Sequence, residues 1–133
     1  MDATQPERWR PVAGYEGLYE VSDQGRVRGV ERELISANGQ VRRWRGRILA
    51  HDFDRHGYPR IGLHVGGMTK RFLVHHLVLH AFVGSKPDGM EVRHLNDVRS
   101  DNRLANLVYG TRSQNMFDAI RNGSHNRASR DRR

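Results

Sequence analysis

The chain has 133 residues, 36% hydrophobic and 29% charged, with 23 Lys and Arg against 15 Asp and Glu and a formal net charge of +8. That length supports one domain with a modest core, and an excess that is nearly all arginine, with only Lys70 and Lys86 as lysines, points to a polyanionic partner, most simply nucleic acid. The absence of cysteine excludes disulfides, thiol catalysis and a Cys-ligated structural zinc and fits a reducing cytoplasm; no signal-peptide h-region or membrane-length apolar run is present.

Residues 1–7 are expected to be disordered. The segment ERWRPVAGYEGLYEVSDQGRVRGV follows, with Trp9, Val12, Tyr15, Leu18, Tyr19 and Val21 as aromatic and apolar anchors. LYEV and RVRGV read as short strands joined by the turn Ser22-Asp23-Gln24-Gly25. Asn38-Gly39 then marks a hairpin. Its returning side clusters Arg42, Arg43, Arg45 and Arg47 around Trp44. Arginines interleaved with an aromatic suit contact with phosphate; the plainer alternative is a solvated basic arm with Trp44 packed inward.

Further on, Ile61, Leu63 and Val65 alternate with Arg60, Gly62 and His64, Gly66-Gly67 makes a turn, and a returning strand carries Lys70, Arg71, Phe72 and Val74. One face would be apolar and the other basic, a ribbon that a major groove can admit. Val74, Leu77, Val78, Ala81 and Phe82 then fall at helical spacing, with Gly84 and Pro87 as stop signals. His76 and His80 lie four apart, a spacing that could hold a metal, but no acidic third ligand is near them in sequence, which favours solvated or capping histidines.

The stretch from Glu91 to Asn115, EVRHLNDVRSDNRLANLVYGTRSQN, reads as strand, polar loop, strand and helix start. His94 closes the first strand, and a neutral imidazole there could take a proton from attacking water. Asn106 lies 12 positions on, with an amide able to donate and accept across the loop, and Asn102 could act similarly. Thr111-Arg112-Ser113-Gln114 fits a capping box, opening a helix expected to run to about Asn122, with Met116, Ala119 and Ile120 facing the hairpin and Gly123 as its stop. Asn115, 21 positions after His94, falls in its first turn and offers a hard oxygen suited to a divalent ion. The basic end, residues 123–133, is expected to be flexible, either solvated or lying along phosphate.

The initial Trp, the GYEGLYEVS core and the GRV after the turn resemble the NUMOD4 motif, a module found beside the nuclease in HNH homing endonucleases. The His94, Asn106 and Asn115 array is similar to the ββα-metal site of HNH nucleases, here in an H-N-N form, and His75 belongs to the VH-L pattern of that family. The resemblance implies an α+β fold with N-terminal antiparallel strands and hairpins, a central helix and a C-terminal ββα-metal motif. It divides the chain into 8–50, a NUMOD4-like DNA-binding module, and 51–122, the HNH nuclease domain. It implies a phage or mobile-element DNA endonuclease acting on double-stranded DNA in the host cytoplasm and leaving a 5′-phosphate and a 3′-hydroxyl. A monomer would nick; a homodimer would cut both strands. His94 would be the general base, Asn106 would brace the loop that orients it, and Asn115 would ligate a divalent ion, with Mg²⁺ favoured over Mn²⁺. Arg42, Arg43, Arg45, Arg47, Arg60, Lys70, Arg71 and Arg112 are the expected DNA contacts.

Two departures stand out. Arg93 occupies a position where many relatives carry an acidic residue or Asn, and an arginine binds no cation. Either Arg93 clamps phosphate while Asn115 and DNA hold the ion, or activity is weak or lost and the chain is a DNA-binding relic of a nuclease. Charge alone would also allow an RNA-binding protein. Asn96-Asp97 stands where relatives more often show Asp-Gly; Asp97, Asp101 and Asp118 are candidates for contacts behind the site. Longer relatives add a C-terminal DNA-reading helical segment, for which this chain lacks room, so high sequence specificity is not expected.

Overall fold

A computed structural model describes residues 6–113. The expectations for the first five residues, for the body of the final helix with Met116, Asp118, Ala119 and Ile120, for Asn115, and for the basic end lie outside them.

The fold is α+β. Strands β1 (Trp9–Pro11), β2 (Tyr19–Ser22) and β3 (Val27–Gly29) form an antiparallel sheet in that order. β2 and β3 are the two strands expected from sequence, but β1 was not. Pro11 lacks an N–H and weakens the strand signal, yet β1 is an edge strand, where proline is tolerated. In the β2–β3 turn the Ser22 hydroxyl accepts from the backbone N–H of Gln24 and of Arg26, both at 3.1 Å, and Gly25 supplies φ +82°.

The Asn38-Gly39 hairpin forms as expected, with β4 (Arg32–Ile35) against β5 (Val41–Trp44) and Gly39 at φ +83°. Trp44 packs inward. Its ring lies on the backbone of Gly29, where a Cβ would sit 2.0 Å from it, and the Arg32 guanidinium stacks 4.6 Å from its centroid.

A second three-stranded sheet comprises β6 (Asp52–Phe53), β7 (Pro59–Val65) and β8 (Met68–Leu73), in the order β6-β7-β8. Alternation puts Ile61 and Leu63 in the core at 2% and 0% exposure. The expected basic face needs correction. The two-residue turn pairs Val65 with Met68, and hence Leu63 with Lys70 and Gly62 with Arg71. Cross-strand partners share a face, so Lys70 lies on the apolar side and Arg71 on the other. Val74 does not continue the strand; it begins helix α1 (Val74–Phe82).

The apolar stripe of α1 is broader than the sequence spacing indicated. Val74, Leu77 and Val78 are buried, but so are His75 and Leu79, because the helix packs against β1, β2, β7, β8 and β10 rather than one sheet. Its end is capped by the N–H groups of Val83 and Gly84 on the Leu79 carbonyl, with Gly84 at φ +133°. β9 (Glu91–His94) and β10 (Leu107–Gly110) form the last hairpin, and the backbone turns helical at Arg112. One core joins the N-terminal sheet to the later elements: Val12, Tyr15 and Val21 cluster with Leu63, Leu79, Val92 and Leu107. Each fully buried aliphatic side chain contributes about 1.5–3 kcal/mol. No helix among the described residues is long and apolar enough to cross a membrane.

Candidate active site

Period-two alternation along β9 sends Val92 and His94 to the core and Glu91 and Arg93 to the other face. His94 pairs across the ladder with Leu107, so Asn106 arrives directly beside the loop that leaves His94. The Asn106 carbonyl accepts the Leu95 N–H at 2.9 Å. Its buried amide then closes the loop. Oδ1 accepts the Asn96 N–H at 3.1 Å, and Nδ2 donates to Asn96 Oδ1 and to the Asp101 carbonyl, both at 2.9 Å. Asn96 Nδ2 donates in turn to Asp101 Oδ2 at 2.8 Å. Arg103 grips both oxygens of Asp101 at 2.8 Å and, with help from Asn96, holds that carboxyl down to about 2. Asp97, at φ +61°, takes the left-handed turn that glycine adopts most readily.

Asn102 orients the histidine. Its Oδ1 lies 2.9 Å from His94 Nε2. An amide oxygen only accepts, so Nε2 carries the ring proton and Nδ1 keeps a lone pair. His94 is 7% exposed. Burial lowers its pKa from the ordinary imidazole range, against the bond to Asn102 and the nearby carboxylates of Asp101 and Asp97, while Arg99 adds to the lowering. The side chain is therefore neutral near neutral pH, the state a general base requires.

The N-terminal sheet reaches this loop. Asp23 accepts the Leu104 N–H on its backbone carbonyl at 2.8 Å. Gly25 lies so near Asn102 that a Cβ on it would sit 2.8 Å from that residue's carbonyl oxygen. Two rings also meet His94: His75 at 5.0 Å between centroids and Tyr58 at 5.9 Å.

The structure thus brings His94, Asn102 and Asn106 together and places Arg93 on the opposite face of β9. The expected DNA contacts are spread more widely. Arg60 is held by Asp52 through two bonds of 3.1 and 3.0 Å, and Arg43 lies 3.5 Å from Glu31. Arg42, Arg45, Arg47, Lys70, Arg71 and Arg112 are exposed. Trp9 was expected as an apolar anchor, but Arg28 stacks 3.9 Å and Arg26 5.7 Å from its ring centroid, so basic residues flank an aromatic there too. His76 and His80 are exposed on α1. Among the described residues no group of three His, Cys, Asp or Glu could hold a metal. Near His94, Asp101 is engaged by Arg103 and Asn102 by His94.

Residues 7–64 match the NUMOD4 motif and residues 72–117 match the HNH endonuclease model. DNA endonuclease I-HmuI of Bacillus phage SP01 is 32% identical over 118 residues, covering 89% of this chain and 60% of that protein. The SPbeta prophage-derived protein YosQ of Bacillus subtilis (strain 168) is 36% identical over 69 residues, 51% of this chain and 40% of its own length. A solved structure concerned with DNA binding and cleavage by I-HmuI superposes with a TM-score of 0.68 at 32% identity, over 88% of this chain and 60% of that one. The chain spans about three fifths of the I-HmuI protein and two fifths of YosQ. It thus carries a NUMOD4 motif followed by an HNH endonuclease domain, in which a ββ hairpin ends on a held histidine, and it is homologous to the HNH homing endonuclease I-HmuI.

Proposed function

We propose that the protein is a metal-dependent endonuclease that hydrolyses phosphodiester bonds in double-stranded DNA. The observation that carries this is the buried His94, its Nε2 held by Asn102 at the end of a strand and its loop closed by Asn106. Relatives from a phage and a prophage support a mobile-element origin.

His94 Nδ1 takes a proton from water as the water oxygen attacks phosphorus. The bond between phosphorus and the 3′ oxygen breaks, leaving a 5′-phosphate and a 3′-hydroxyl once that oxygen is protonated. Asn115 would hold a divalent ion, favoured as Mg²⁺, whose chemistry is to bind the scissile phosphate and stabilise the leaving oxygen. Arg93, on the other face of β9, contacts a neighbouring phosphate. Exposed Arg42, Arg45, Arg47, Lys70, Arg71 and Arg112 contact the backbone, with Arg43 and Arg60 joining as their carboxylate partners are displaced. One site cuts one strand, so a monomer nicks and a homodimer cuts both.

Supercoiled plasmid incubated with the protein in Mg²⁺, in Mn²⁺ and in EDTA tests this reading. Metal-dependent conversion to open-circular DNA is expected. No conversion in any metal would leave the second reading, a DNA-binding protein without activity, which Arg93 in place of a carboxylate favours.

A further inference from the structure

We propose that Tyr58 and His75 are positioning residues for His94: their rings pack on the imidazole, keep bulk water off the side they cover and hold it in its proton-accepting state. The inference rests on His94 as the general base.

Three observations carry it. First, the three rings contact one another, and the His76 ring adds a contact 4.6 Å from His75. His75 meets His94 at 5.0 Å with planes at 85°, Tyr58 meets His94 at 5.9 Å, and Tyr58 meets His75 at 5.2 Å with planes at 69°. The two contacts of His75 are edge-to-face, an arrangement that is favourable at these distances and fixes ring orientation, while the Tyr58 ring lies tilted at 36° to His94. Second, His75 is only 5% exposed, and its Nδ1 is buried with no hydrogen-bond partner. Nδ1 therefore contributes no structural hydrogen bond. Here the ring itself is what its neighbours contact. Third, a pocket of about 270 Å³ adjoins it, lined by Asp54, His56, Tyr58, His75, His76 and Glu91. His94 does not line this polar pocket. His75 and Tyr58 belong both to its wall and to the ring contacts around His94, so they lie between the pocket and the base.

The charged and titratable surroundings are few. Asp97 and Asp101 favour a protonated His94, and Arg99 opposes it; Arg99 also stacks 5.1 Å from the Tyr58 centroid and donates to the His56 carbonyl. His76 and Asp54 act on His75 from the helix and from the turn before β7. His75 stays neutral through the working range, burial holding it down to about 3, so it places no charge beside the base.

The test is the titration of His94 in the full chain, followed by NMR of histidine-labelled protein and assigned with His94→Gln. In the wild type His94 titrates below the ordinary imidazole range. His75→Phe keeps a ring and leaves that titration unchanged. His75→Ala and Tyr58→Ala admit water and move it upward, and the acid limb of DNA cleavage moves with it. Should His75→Ala fail to fold, Tyr58→Ala decides, because Tyr58 is only half-buried. A His94 titration unmoved in a folded Ala variant, or moved as far by His75→Phe as by His75→Ala, overturns the proposal. The NMR readout needs no cleavage, so a chain that cuts no DNA would refute the nuclease reading and leave this one separately decided.

Discussion

Gly25 offers a direct way to test whether the N-terminal sheet supports the site. Replacing it with alanine has two separable consequences. Its φ of +82° is unfavourable for an L residue, at a cost of about 1–2 kcal/mol. The new Cβ would also stand 2.8 Å from the Asn102 carbonyl oxygen and 3.0 Å from that residue's carbonyl carbon and Cβ. Ordinary carbon contacts lie at about 3.5–4.0 Å, so turn or loop must move by roughly half an ångström or more. Asn102 is the residue whose Oδ1 holds His94 at 2.9 Å. Gly14 provides the control, since its φ is +84° and a Cβ there meets nothing within 4 Å. Gly14→Ala therefore carries the backbone strain alone. Urea denaturation should show Gly25→Ala less stable than Gly14→Ala by a further 1 kcal/mol or so. Single-turnover plasmid cleavage should fall about tenfold or more in Gly25→Ala and stay near wild type in Gly14→Ala. Equal stability and equal cleavage in the two variants would refute the claim that the β2–β3 turn supports the catalytic loop.

Three further outcomes are expected. Asn106→Ala removes three hydrogen bonds from a buried amide and should cost about 2–4 kcal/mol in urea denaturation; Asn106→Asp should not restore it, because it loses both donated bonds and sets a carboxylate oxygen near the Asp101 carbonyl. Acid should destabilise the fold early. Burial holds His75 at about 3 against an ordinary 6.5, so the unfolded chain binds more protons below pH 6.5 and stability is lost as pH falls. His75 alone gives up about 2 kcal/mol between pH 6.5 and 4.5, His94 adds to it in the same direction, and a His75→Phe melting series should be flatter over that window. At Asp97, φ +61°, substitution by Gly should leave stability within about 1 kcal/mol of wild type and substitution by Val should lower it by about 1–2 kcal/mol, read by thermal denaturation.

The residues that proved legible in the sequence act through local geometry. His94 and Asn106 meet because a tight antiparallel hairpin makes its two strand ends neighbours, whatever lies elsewhere. Asn38-Gly39 and Gly66-Gly67 each dictate their own turn. The Lys70 face was readable in principle, since a two-residue turn fixes the register, but it requires following that register pair by pair from Val65 and Met68. Other features depend on chain distant in sequence. Leu79 and His75 are buried because several strands surround α1, which a single-stripe reading of the helix does not anticipate. Tyr58 meets His94 from 36 positions away, and Gly25 meets Asn102 from 77 away, with no motif linking either pair. β1 was hidden by Pro11, whose penalty disappears at a sheet edge.

The central claim is that His94 is the base that activates water. Single-turnover cleavage of supercoiled plasmid in Mg²⁺, by wild type and by His94→Ala at equal DNA occupancy, measures it most directly. The rate should fall about 10²–10⁴-fold in His94→Ala with DNA binding retained. Cleavage by His94→Ala at the wild-type rate would contradict it.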